Sequence, residues 1–324
     1  MTQQSIPVID IRNLWSDATL SALDDACRDW GFFQVVNHGV PEEITGALYD
    51  AMHGFFALPA DEKRAIARSA ENPWGFYDRE LTKNIVDLKE IYDYGPGDGD
   101  RIQPQWPRDL PGFPEAIRAF YGSCEKLSFA LLAAISSNLG MAPGYLARSF
   151  RPDHTSFLRL NYYPVQGARD SSAGPLAALV GQLGINHHTD AGALTVLLQD
   201  DKPGLEVYRH GGWHLVEPRA DALVINIGDI VQVWSNDRYK ASLHRVLASV
   251  DAPRYSAPFF FNPAYQANYA PLPSTIDDVH PPRYRSINWG EFRSLRAAGD
   301  YADLGEEVQI SHYQLARKVH HGVH

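Results

Sequence analysis

Cysteine is nearly missing from this sequence: Cys27 and Cys124 are the only two among 324 residues. Each falls in an apolar, helix-patterned stretch and no CxxC pair occurs, which excludes a disulfide framework and zinc-finger spacing. Basic charge is also short. Against 39 acids stand 29 lysines and arginines, a formal charge of −10 with a pI near 5.7. Such an average surface makes a poor partner for nucleic acid or for an anionic membrane. No apolar run reaches the roughly 20 residues of a membrane helix, and "MTQQSIPVID" lacks the basic start and apolar run of a secretory leader. The expected location is therefore cytoplasmic. Low-complexity tracts and internal repeats are absent too, and 44% hydrophobic residues suffice for a sizeable core.

What is present has two textures. In the first half, "IPVID" (6–10) reads as a strand, followed by a helix that places Leu20, Leu23, Ala26 and Cys27 at helical spacing and that Gly31 ends. "FFQVVNHGV" (32–40) is β-rich and closes on the turn residues Asn37 and Gly39. Pro41 and two acids open a helix with Ile44, Leu48, Met52 and Phe55 on one face. A strand is expected at 87–94, long helices through 113–139 and a shorter one over 142–149. From residue 156 short β-rich runs alternate with Gly, Asp, Asn and Pro, the pattern of a sandwich, jelly roll or barrel. Within it "EVYRHGGWHLV" predicts a hairpin turning at Gly211 and Gly212, and a last helix is expected around 289–298.

"NHHTD" (186–190) carries the chemistry. On a strand, residues two apart share a face, so His188 and Asp190 point together and His187 points away, towards packing or an outer role. A closed β structure can bring His244, at the start of "LHRV", to the same interior. Two imidazoles and a carboxylate leave open positions on an octahedral ion, the facial arrangement of non-haem Fe(II) oxygenases. A zinc hydrolase on a cupin-like barrel could use the same three residues. In "RYS" (254–256), expected on the next antiparallel strand, Arg254 and Ser256 share a face and together suit a carboxylate. The zinc alternative gives Arg254 no task. "GPGDGD" (95–100) has no following helix and is read as a turn; the closing "HHGVH" is read as a solvated tail.

The whole set of motifs resembles one family. "IPVIDI", "DWGFFQVVNHGVP", "DLKE", "NYYP", "HTDAGALTVLLQD", "VINIGDIVQVWSN", "YKASLHRV" and "RYSAPFF" stand in the order and spacing of the iron- and 2-oxoglutarate-dependent dioxygenases, in the group of isopenicillin N synthase and the plant flavonoid, gibberellin and auxin oxidases. The resemblance implies a mainly β chain with flanking helices around a double-stranded β-helix (jelly roll, cupin-like). It implies one integrated unit over 1–324, with an N-terminal α/β region at 5–120, a core at 154–262 and a C-terminal extension with a helix at 263–324. By the same resemblance His188, Asp190 and His244 hold Fe(II), Arg254 and Ser256 anchor 2-oxoglutarate, and Asn161 and Tyr163 of "NYYP" help hold it. O2 is the oxidant and a small molecule the substrate. "GDIVQVWSN" is expected as a structural strand and turn around Asp229.

Strand alternation puts Arg159 on the face of Asn161 and Tyr163, where a substrate acid or an internal acid can neutralise it; Phe260 shares the face of Arg254 and is a second candidate substrate contact. Hydroxylation is the expected outcome, although desaturation or cyclisation uses the same residues. Isopenicillin N synthase keeps all five motif residues without consuming 2-oxoglutarate. The connection at 165–184 is longer than in the plant enzymes and is expected to form a lid or interaction loop.

Overall fold

Strand β1 (Val8–Asp10) leads into α1 (Asp17–Asp29), which Ser16 starts by accepting the Thr19 amide at 3.2 Å. Past its end Gly31 takes a φ of 61°, and a Cβ there would lie 2.0 Å from the Lys240 carbonyl oxygen. Only glycine meets both demands. After β2 (Phe32–Val36), Pro41 and the acids Glu42 and Glu43 open α2 (Glu42–Phe56), whose buried face carries Leu48, Met52 and Phe55. Then come α3 (Ala60–Arg64), β3 (Gly75–Tyr77), β4 (Leu81–Thr82), β5 (Ile85–Val86), β6 (Glu90–Tyr94) and the long α4 (Phe113–Asn138), which packs on α1 and α2. The helix expected over 142–149 is only a 3₁₀ turn at Leu146–Ser149. This computed structural model describes residues 5–82, 85–97, 102–165, 183–248, 251–299 and 308–316. Most of the long connection at 165–184 and the whole 320–324 tail lie outside them.

The second half supplies β7 (Phe157–Tyr163), β8 (Leu183–His188), β9 (Leu194–Gln199), β10 (Leu205–Arg209), β11 (Gly212–Leu215), β12 (Ala222–Ile227), α5 (Asp229–Trp234), β13 (His244–Leu247) and β14 (Arg254–Phe261). Beyond them lie β15 (Asn268–Tyr269), β16 (Ile287–Asn288) and α6 (Trp289–Gly299). An eight-stranded sheet runs β1-β2-β12-β9-β14-β7-β6-β3, and a four-stranded sheet runs β11-β10-β13-β8. The period of two divides each central strand of the large sheet between two environments. Val196, Leu223, Ile225, Phe259 and Phe261 pack into the helical core with α2 and α4. Phe32, Tyr163, Val224 and Leu197 turn the other way and meet Leu205, Val207 and Val246 of the small sheet. The result is a jelly-roll core with helices outside its large sheet. No helix among the described residues is long and apolar enough to cross a membrane.

Four local expectations are corrected. The β10–β11 hairpin turns on His210 and Gly211, both at positive φ (49° and 80°), one residue earlier than the glycine pair suggests; two left-handed residues match the twist of the strands they join. "GDIVQVW" is the helix α5, because Gly228 and the acid at the first helical position start it and its apolar residues are buried on every side. His188 closes β8 while Asp190 lies in the turn before β9, so the two do not share a strand. And β14 does not pair with β13: it runs between β7 and β9 in the large sheet, whereas β13, which carries His244, is in the small one.

Candidate functional site

The register of β13 on β8 sets His244 directly opposite His188, with ring centroids 4.3 Å apart. Each ring is turned by its backbone. Nδ1 of His188 lies 2.7 Å from the Asn186 carbonyl and Nδ1 of His244 lies 3.2 Å from the Ser242 carbonyl. With Nδ1–H donating, Nε2 presents a lone pair inwards. Oδ1 of Asp190 comes to 3.6 Å from Nε2 of His188 and 3.5 Å from Nε2 of His244. One ligand atom from each residue falls within 4.8 Å of the others, close enough for one ion. Oδ2 of Asp190 is occupied: it accepts from the Thr195 hydroxyl and from Nδ2 of Asn226 at 2.9 Å.

Protonation favours a cation as well. Burial pushes the His244 imidazole down to about 4, helped by the neighbouring His188, so at neutral pH it is an uncharged donor. Burial opposes a charge on Asp190, but the two imidazoles and the Thr195 hydroxyl outweigh it and hold the carboxyl far below its usual range. One nitrogen from each histidine and one ionised oxygen, oriented by outer hydrogen bonds, form a donor set that fits a divalent iron ion.

The second cluster is built by β14 and its neighbours. Arg254 stands opposite Tyr163, and Ser256 opposite both Asn161 and Gln199. The guanidinium of Arg254 is 1% exposed and lies 5.2 Å from the centre of the Tyr163 ring. Nε donates to the Lys202 carbonyl at 3.2 Å and Nη2 to Oε1 of Gln199 at 3.0 Å, while Nη1 is buried with no partner. No carboxylate pairs with this cation among the described residues. A buried cation left this way is costly, and an incoming carboxylate is what it lacks. Nδ2 of Asn161 donates to the Ser256 hydroxyl at 3.3 Å, which leaves the hydroxyl hydrogen for an acceptor in the cavity.

Both clusters line one cavity of about 290 Å³ between the sheets. That is the low end for small-molecule sites and too small for a folded partner. Further along the same wall Phe157 and Phe260 stack at 4.7 Å, and both line the cavity. Arg159 does face inwards, but the acids are the protein's own: Nε and Nη2 bind the two oxygens of Asp93 at 2.7 and 2.8 Å, and Nη1 binds Glu80 at 2.7 Å. Arg68 joins both acids, and Lys89 bridges Glu80 to Asp87. Exposed His187 lies edge-on to Trp213, 6.5 Å between centroids.

Sequence reasoning missed Thr195, Asn226, Gln199, Glu80 and Asp93. A polar residue inside an otherwise apolar strand, as in "LTVLLQ" and "ALVINI", is the signal that could have found the first three. Burial works against the Glu80 charge, yet Arg159, Lys89 and Arg68 outweigh it and hold the carboxyl well below its usual range. Glu80→Gln is expected to cost about 3 kcal/mol of stability, read from the urea midpoint at pH 7. Since the folded pKa is depressed, that contribution is full above the unfolded value of about 4.3 and is lost as pH falls below it. Equal midpoints at pH 7 would remove the network from any account of stability.

Comparisons with known proteins agree with this geometry. A family model described as the 2OG-Fe(II) oxygenase superfamily matches residues 154–263, and one described as the N-terminal region of non-haem dioxygenases in morphine synthesis matches 6–111. Flavanone 3-dioxygenase 2 of Oryza sativa subsp. japonica is 35% identical, covering 89% of this chain and 82% of that protein. Jasmonate-induced oxygenase 2 of Arabidopsis thaliana is 33% identical, covering 96% and 84%. Among solved structures, JOX2 in complex with 2OG, Fe and JA superposes with a TM-score of 0.78 at 31% identity, covering 90% of this chain and 84% of that one. A full-length Neurospora crassa protein in complex with alpha-KG and thymine gives 0.81 at 26% identity, covering 93% and 98%.

Proposed function

The chain belongs to the 2OG-Fe(II) oxygenase superfamily, and from that premise we propose that it hydroxylates a small organic molecule held between its two sheets. The observation that carries the reading is the convergence of Nε2 of His188, Oδ1 of Asp190 and Nε2 of His244. We assign these three to Fe(II). Arg254 and Ser256 receive the distal carboxylate of 2-oxoglutarate. The ring of Tyr163 braces the guanidinium, and Asn161 fixes the direction of the Ser256 hydroxyl. When bound, iron with 2-oxoglutarate and dioxygen supplies an oxidant for an unactivated C–H bond, and the co-substrate leaves as succinate and carbon dioxide.

The remaining work is done by this chain's side chains. Phe32, Leu197, Leu205 and Val246 line the cavity with apolar surface and keep water from the reacting region. Phe157 and Phe260 offer a flat wall to the substrate. The complexes of JOX2 with 2OG, Fe and JA and of the Neurospora crassa protein with alpha-KG and thymine support a small-molecule substrate here. The test is stoichiometric. One succinate per hydroxylated product is expected from the purified protein supplied with Fe(II), 2-oxoglutarate and dioxygen. An oxidised product formed without succinate would reject 2-oxoglutarate as co-substrate.

A further inference from the structure

Thr189 stands between His188 and Asp190, and its carbonyl receives Nη2 of Arg296 from α6 at 3.0 Å. The donor comes from 107 residues further along the chain. Through Nη1 the same guanidinium donates to the Val308 carbonyl at 3.1 Å. One planar fork therefore joins the last long helix and the segment after it to the turn that carries Asp190.

The rest of that turn is held by backbone. The Asp229 amide donates to the Asp190 carbonyl at 2.8 Å, Gly228 to Ala193 at 2.9 Å and Ile230 to Gly192 at 3.2 Å. A Cβ on Gly228 would lie 2.2 Å from the Gly192 carbonyl oxygen, so glycine is required for this approach. α5 thus fixes the far side of the turn. The near side, the peptide that leads into Asp190, is fixed by a side chain. α6 itself is docked elsewhere: Nε1 of the buried Trp289 donates to the Thr155 hydroxyl at 2.8 Å, and Nη1 of Arg293 to the Thr155 carbonyl at 3.0 Å.

We propose that Arg296 is a positioning residue for the iron site. By holding the Thr189 carbonyl it sets the plane of the Thr189–Asp190 peptide, and with it the direction from which Oδ1 of Asp190 approaches the two imidazoles. The inference rests on the metal reading given above. It separates two duties of α6: Trp289 and Arg293 attach the helix, whereas Arg296 adjusts a ligand. Loss of a group that orients a metal ligand typically weakens affinity 10- to 100-fold.

Fe(II) binding to the full-length protein, measured anaerobically without substrate, distinguishes these duties. In Arg296→Gln the Kd is expected to rise about tenfold. Arg296→Lys, which keeps one donor, is expected to fall between that value and wild type. Arg293→Gln is expected to lower Tm and leave the Kd where it was. The visible band of the iron–2-oxoglutarate chelate is expected to shift in Arg296→Gln and not in Arg293→Gln. An unchanged Kd in Arg296→Gln overturns the proposal. So does equal weakening in Arg296→Gln and Arg293→Gln, which would make helix attachment the cause. Failure of the wild-type protein to bind iron would overturn the metal reading, and this inference with it.

Discussion

His244→Ala abolishes the visible band that forms when Fe(II) and 2-oxoglutarate are added anaerobically, and turnover falls by more than about a hundredfold. That floor follows from outer hydrogen-bond partners of metal ligands, whose loss alone costs up to that much; removal of the nitrogen itself costs more. The fold is expected to persist. His244 is buried near Phe32 (5.1 Å between ring centroids), and among the described residues its ring hydrogen-bonds to the Ser242 carbonyl just before β13. Circular dichroism and a thermal scan separate lost iron from a lost structure. A band of wild-type intensity in a folded His244→Ala protein would sink the assignment of all three ligands, since Asp190 is oriented towards both histidines.

Arg254→Met moves binding and stability in opposite directions. The KM for 2-oxoglutarate is expected to rise roughly a hundredfold, because charge-assisted hydrogen bonds to a carboxylate contribute about 1.5–3 kcal/mol. Without co-substrate, however, the variant is expected to melt above wild type. The wild-type guanidinium is 1% exposed, keeps a donor without an acceptor and forms no ion pair with an acid among the described residues. A methionine of similar reach removes that burden. Saturating 2-oxoglutarate should raise the Tm of wild type, by supplying the missing carboxylate, and leave Arg254→Met where it is. Wild-type KM in the variant would remove Arg254 from co-substrate binding. A lower Tm would show that its bonds to Lys202 and Gln199 outweigh the unpaired charge.

The strand rule carried the sequence reading a long way. Arg254 and Ser256, and likewise 159, 161 and 163, do lie on single strand faces, because alternation is a property of the extended chain itself. Partners are a different matter. The acids that neutralise Arg159 are Glu80 and Asp93, 79 and 66 residues earlier; Asp93 reaches it because β6 pairs with β7, and Glu80 comes from the segment just before β4. Periodicity states which way a side chain points and says nothing about what will meet it. The iron-binding candidates were legible through motif order, yet their local structure was misread: the spacing of His188 and Asp190 fits a strand as well as a strand end followed by a turn. Arg296 carried no mark at all, being one arginine in a polar stretch of helix.

The order of strands in the large sheet also constrains how this protein is made. β2 sits beside β12, and Phe32 is paired with Asn226, while β6 closes the other side against β7. Nearly two hundred residues must leave the ribosome between one partner and the other. Until β12 emerges, the nascent chain holds β2 without its neighbour, an adhesive border for other chains, and such distant pairings form slowly. The oxygenase half, if synthesised alone, would keep β12 and β7 bare along both margins, so the N-terminal strands serve as its selvedge.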